Sequence, residues 1–255
     1  MGKIVKYVML DIIRNKIILA YTILLLLISL SLFTLEDNTA KGLVGLLNII
    51  MIIVPLVSIV FSTIYIYNSR EFIELLVAQP VKRTSLIVSL YGGLAFSLGL
   101  AFFVGAGIPV LLFERSSVGL SLTFTGLALT VIFVSLALFG SVNAKDKAKG
   151  IGVSILLWFY FAIIFDSILL FLLFQFQDYP LERISIFLTS LNPIDLCRIL
   201  VMLKMDISAM MGYSGAVFKD FLDGIYGTIF ILFAILAWTV VPLYFAVRSF
   251  NKKDL

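Results

Sequence analysis

The side chains that carry most acid–base and redox chemistry are scarce in this chain. It contains no His and a single Cys, Cys197. His-based catalysis, a Cys-x-x-Cys redox pair and an intrachain disulfide are therefore excluded. Copper(I) prefers thiolate and thioether ligands, and Met202, Met205, Met210 and Met211 follow closely on Cys197. Met at helical spacing equally serves packing or an adaptable interface, so these residues define no metal-ligand set. One carboxylate, Asp166, lies inside a long apolar run. At bilayer depth such a group costs ~2.5–3.5 kcal/mol and marks a functional position, unless a Tyr, Ser or Thr of a neighbouring helix satisfies it. A lone carboxylate is not a relay, which argues against an autonomous ion carrier. No Gly-x-x-x-x-Gly-Lys-Ser/Thr loop is present, so the chain lacks that cradle for ATP phosphates. No residue qualifies as catalytic.

The elements that hold these groups follow from composition. Of 255 residues, 62% are hydrophobic and 13% charged, against about 25% charged in a soluble domain. Lipid must therefore be the solvent for most of the chain. Six apolar runs are long enough to cross: Ile17–Leu35, Gly42–Tyr67, Leu86–Phe113, Gly119–Val142, Ile151–Phe174 and Ile225–Val247. At ~1.5 Å per residue the shortest spans ~28 Å, about the hydrocarbon thickness. Runs of this length satisfy their own backbone as helices, and the period-2 alternation of a membrane barrel is absent. The expected fold is all-α and polytopic, a single transmembrane domain over residues 1–255. A helical outer segment, 175–224, lies between crossings five and six. Gly92, Gly93, Gly99, Gly105 and Gly107 in the third crossing permit close helix packing. Pro55, Pro109 and Pro242 should kink their crossings.

Charge sets the orientation. Thirteen Lys and Arg fall on the side of the termini: Lys3, Lys6, Arg14 and Lys16, then Arg70, Lys82 and Arg83, then Lys145, Lys147 and Lys149, then Arg248, Lys252 and Lys253. Six fall on the other: Lys41, Arg115, Arg183, Arg198, Lys204 and Lys219. The basic side is expected to be cytoplasmic, with both termini inside. This also accounts for the basic excess without a nucleic-acid partner. Residues 1–16 alternate basic and apolar side chains and have no cleavage site, as expected of an interfacial amphipathic helix. A plain extension of the first crossing is the alternative.

Two segments between crossings carry most information. In the first, Ser69 should cap a short helix and Pro80 should stop it near Gln79. Phe72, Leu75, Leu76 and Gln79 then share an apolar face, with Arg70, Glu71 and Glu74 on its polar sides. Such a ridge fits a partner groove or rests on the membrane surface. In the second, Asn192 should cap a helix, Pro193 suits its first turn, and Asp195 favours the positive end of its dipole. Glycines at 212 and 215 then mark a turn or close backbone contact.

The run from Arg70-Glu71 through Leu75-Leu76 to Gln79-Pro80-Val81 and Arg83 resembles the first cytoplasmic loop of ABC-2-type permeases. The overall plan of amphipathic start, six crossings and long outer segment resembles theirs too. The outer stretch, Asn192-Pro193-Ile194-Asp195 and then Ala209 to Phe218, is similar to the permease family of NosDFY transporters, which serve nitrous oxide reductase maturation. The resemblance implies ATPase coupling through Arg70, Glu71, Phe72, Glu74, Leu75, Leu76, Gln79, Pro80 and Arg83. It implies contact with a periplasmic NosD-like β-helical protein through Asn192, Pro193, Asp195, Met210, Met211, Gly212, Tyr213, Gly215 and Phe218. It further implies a separate NosF-like ATPase that binds ATP and Mg, a second copy of the chain, and a bacterial inner-membrane location. No cofactor belongs to the chain itself. Export of a sulfur- or copper-related species, or transmission of motion to the outer partner, are the roles it implies. An ABC-2 exporter of a lipid, peptide or drug-like molecule, and a stand-alone scaffold or sensor, are the alternatives.

Overall fold

A computed structural model describes residues 2–35, 39–78, 82–176, 187–205 and 225–252. Helix α1 (Gly2–Ile13) breaks at Asn15, whose side-chain Oδ1 accepts the Ile17 N–H at 2.9 Å and so starts α2 (Lys16–Leu35). α3 (Thr39–Asn68) leads into the short α4 (Arg70–Val77). α5 (Arg83–Phe102) passes through a π turn, Phe103–Gly107, into α6 (Ile108–Phe113). α7 (Ser117–Asn143) follows. α8 (Lys147–Phe159) passes through a second π turn, Tyr160–Ile164, into α9 (Phe165–Gln175). α10 (Pro193–Lys204) and α11 (Ile225–Lys252) complete the chain. The described residues are helical apart from their connections, and six helical stretches are long and apolar enough to cross: Lys16–Leu35, Ala40–Asn68, Arg83–Phe113, Ser117–Asn143, Lys147–Leu172 and Gly227–Lys252. The all-α polytopic fold read from the sequence is the one observed, with span limits within a few residues.

α7 is the axis of the bundle. In its most apolar window 78% of residues are buried, against 6% for the Lys147–Leu172 crossing. α3, α5, α8, α10 and α11 all pack on it. Such close approach needs small side chains. A Cβ on Gly126 would overlap the Phe102 ring of α5, which fills the space the glycine leaves. Helix ends are satisfied locally: Ser116 Oγ accepts the Val118 N–H at 3.2 Å, and Asp146 Oδ1 accepts the Lys149 N–H at 2.8 Å.

The amphipathic start is a docked element. Val8 and Ile12 of α1 are fully buried, and α1 lies along α5. Gly93 makes the approach possible, since a Cβ there would overlap Val8. Tyr7 and Leu10 remain exposed, so one face is held by protein and the other is left for the interface.

Pro109 acts through a neighbouring helix as well as its own. Its missing N–H leaves the carbonyl four residues back, Gly105, without a helical donor. Ser29 of α2 donates to that carbonyl at 3.0 Å. The π turn places Gly105 against Thr22 and Leu25 of α2, where any Cβ would be too close. The third crossing therefore carries its π turn where it meets the first.

Gly126→Ala is expected to destabilise the chain by about 1–3 kcal/mol through overpacking. Addition of Phe102→Leu should recover most of the loss, as measured by denaturant titration in mixed micelles.

Candidate functional site

The site is built where the chain returns into the bundle between crossings five and six. Residues 187–190 form a helical turn, and Asn192 then starts α10. Asn192 is fully buried. Its Oδ1 accepts the Ile194 N–H at 3.0 Å, which is the cap read from the sequence. Its Nδ2 donates to the Phe161 carbonyl at 2.9 Å and to Asp195 Oδ2 at 2.8 Å. The π turn supplies that acceptor. Phe165 N–H reaches back to the Tyr160 carbonyl instead of Phe161, so the Phe161 oxygen is open to a donor from outside its helix.

These contacts fix the depth of the turn. Phe161 lies near the middle of the 26-residue crossing Lys147–Leu172. Trp238 lies near the middle of the 26-residue crossing Gly227–Lys252, and its Nε1 donates to the Ser190 carbonyl at 3.0 Å. Phe161 meets both Trp238 and Phe133 edge to face, at 5.3 and 6.3 Å between ring centres. The turn at 190–192 thus rests on an aromatic floor at mid-membrane, and α10 climbs from it toward the end opposite the termini. Twelve residues rise ~18 Å, which leads back to that end. Lipid has no partner for a bare backbone, so irregular chain at this depth must be enclosed by protein. α10 is enclosed: Pro193, Ile194, Leu196, Cys197, Ile199, Leu200, Val201 and Leu203 are all buried, mainly against α7 and α11.

The return of α10 changes the setting of Asp166. Arg198 Nη1 donates to Asp166 Oδ2 at 3.0 Å and to Asp195 Oδ1 at 3.3 Å. The Arg198 and Asp166 side chains are each 27% exposed, and Asp195 is 8% exposed. Asp166 is therefore not a lone carboxylate, and its partner is a cation rather than a Tyr, Ser or Thr. Sequence reasoning missed this because Arg198 sits in a segment too short to cross and was assigned to the outer loop. A signal was available: α10 is apolar on nearly all sides, and such a helix must be buried.

The proposed outer contacts divide. Asn192, Pro193 and Asp195 lie inside the bundle, below the surface a partner would meet, because they hold the turn at depth. Met210, Met211, Gly212, Tyr213, Gly215 and Phe218 lie outside the described residues. Cys197 is fully buried, and Met202 and Met205 pack against the core. Among the described residues no group of three or more His, Cys, Asp and Glu is placed to hold a metal.

At the termini end, α4 departs from the expected ridge. Ser69 makes no side-chain cap. Backbone bonds from Ser69 N–H to Tyr65 and from Ile73 N–H to Ser69 carry α3 almost directly into α4. Ile73 is the buried anchor, Phe72 stacks on Tyr7 of α1 at 5.1 Å, and Leu76 packs on the core. Leu75, 67% exposed, stands outward beside Glu71. Arg70 pairs with Glu74 at 2.9 Å. Arg83 opens α5, and Gln79 and Pro80 lie outside the described residues.

Removing the cation from this partly buried cluster should be costly. Arg198→Met is expected to destabilise the chain by about 2–3 kcal/mol, because two neighbouring carboxylates then lack their cation. Arg198→Met with Asp166→Asn should recover part of that loss in a double-mutant cycle of unfolding free energies.

Residues 3–255 match the family described as "ABC-2 family transporter protein". A relative from Pseudomonas aeruginosa, named "Probable ABC transporter permease protein NosY", is 28% identical over 79% of this chain and 81% of its own. One of the same name from Stutzerimonas stutzeri is 24% identical over 95% of each chain. The six-helix membrane bundle with its docked α1, its short α4 and its returning α10 therefore belongs to the ABC-2 family of transporter permeases, membrane subunits whose ATP is hydrolysed by a separate ATPase.

Proposed function

We propose that this chain is the membrane subunit of a NosDFY-type complex, in which a cytoplasmic ATPase grips α4 and the bundle carries its motion to the opposite face. The observation that carries this reading is the seat of α4. It continues α3, leans on α1 through Phe72 and Tyr7, and projects Leu75 and Glu71 away from the bundle. A push on α4 reaches α3 directly and α5 through α1. At the far end, the turn that starts α10 is keyed to crossings five and six through Phe161 and Trp238. Relative movement of those crossings shifts α10 and the outer segment it leads into.

Function as a transmitter to a periplasmic β-helical partner fits the ligand inventory. Met51 is the one Met in the described crossing helices, and the Cys197 that α10 brings to membrane depth is sealed by packing. Stepwise copper conduction lacks the soft ligands it needs. Export of a small sulfur-containing species is the second form of the same reading. Nitrous oxide reductase copper-centre assembly is the process served, as the resemblance of the outer stretch to the permeases of NosDFY transporters implies. The bacterial inner membrane, with both termini cytoplasmic, is the location the charge bias supports, and a dimer with two ATPases is the assembly.

Leu75→Glu is expected to weaken co-purification with the ATPase about tenfold or more, since an exposed apolar anchor at an interface centre carries much of the binding energy. Membrane insertion should be unchanged. Undiminished ATPase retention removes α4 as the coupling element. Deletion of the chain should leave the reductase without its full copper complement while general export is preserved. A broad export defect with a normal reductase favours the lipid, peptide or drug exporter instead.

A further inference from the structure

A cavity of about 280 Å³ opens at the termini end, among α3, α4, α5, α7 and α11. Ile87, Leu90 and Phe250 give it an apolar wall, and its charged lining among the described residues is Arg70, Glu74 and Lys145, a net single positive charge once Arg70 pairs with Glu74. Tyr67 and Val142, which also line it, are each next to the last residue of their crossings. Phe250 is likewise two residues from the end of its own crossing, so the cavity lies at the membrane interface. The three lysines that follow α7 differ. Lys147 donates to Asn68 at 2.8 Å and Lys149 pairs with Asp146 at 3.6 Å. Lys145 has no acidic partner among the described residues.

We propose that this cavity binds an anionic phospholipid from the leaflet on the side of the termini. The phosphate sits at Lys145, beside the Arg70–Glu74 pair, and the upper acyl chain lies against Leu90 and Phe250. Charge complementarity and the interfacial depth select this occupant. A free anion would leave the apolar wall uncovered, and a neutral lipid would leave Lys145 without a counter-charge. The site holds whichever way the chain faces, so it does not depend on the proposed complex. Its consequence for α4 is direct: Arg70, Ile73 and Glu74 line the cavity, so an occupied site props the helix from behind.

The test is native mass spectrometry of the purified full-length chain titrated with phosphatidylglycerol and with phosphatidylcholine of the same acyl composition. Phosphatidylglycerol should bind more tightly, by about fivefold, for the single free cation it engages among the described residues. Lys145→Gln should lose about fivefold in that preference, Lys145→Arg should keep it, and Lys149→Gln should behave like the unmodified chain. Equal affinity for the two lipids, an equal loss in Lys149→Gln, or displacement of the lipid by inorganic phosphate or by the ATPase would each overturn the proposal. A second readout needs no variant. Phosphatidylglycerol with a tail diazirine should label the peptide carrying Phe250, with unlabelled phosphatidylglycerol but not phosphatidylcholine competing. Absence of that label also overturns it.

Discussion

Everything distinctive in this molecule follows from one constraint: a polar group at membrane depth must find its partner within the protein. The turn at Ser190–Asn192 meets that constraint with neighbours that crossings five and six supply. The second π turn gives up one of its own carbonyls, Phe161, and Asn192 takes it. The indole of Trp238 takes the Ser190 carbonyl. With its tip satisfied, α10 can leave mid-membrane as a helix whose backbone closes on itself and whose apolar sides pack on α7 and α11. Asp195 and Arg198 are carried to depth by that helix, and Asp166 is where their charge is met.

The same logic appears in the first half of the bundle. Pro109 removes a donor, and the Gly105 carbonyl it exposes is answered by Ser29 of α2. The two π turns are thus each a joint with a neighbour. Joints of this kind bind helices pairwise while α7, the most buried crossing, holds them in common. α4 touches α3 and α5 directly and α1 through Phe72 and Tyr7.

Much of this was legible in the sequence. Crossings declare themselves by length and apolarity, because lipid leaves a helix little choice. The Asn192-Pro193 start of α10 was equally plain, since the cap is a local hydrogen bond between neighbours in sequence. Depth was not legible. Asp195 and Arg198 look like residues of an aqueous loop, and only the tertiary partner at Asp166 makes their burial tolerable. The π turn at Tyr160–Ile164 contains neither Pro nor Gly, so it left no mark in the pattern. α4 is the converse case. Its apolar face reads as a ridge for a partner groove or for the membrane surface, whereas Ile73 is sunk into the bundle and Phe72 and Leu76 lean on α1 and the core. Helical periodicity tells which residues share a face and not what covers it.

The depth of the turn before α10 is the point on which the rest stands. A nitroxide attached at Leu191→Cys, in a Cys197→Ser background reconstituted in vesicles, reports it through relative accessibility to oxygen and to a water-soluble nickel chelate. Leu191 is exposed at the surface of the bundle, so the label reads its surroundings without displacing a buried side chain. A depth equal to that of a label at Tyr160 is the expected result. Accessibility like that of bulk solvent, as for an ordinary loop on the outer surface, would contradict the account.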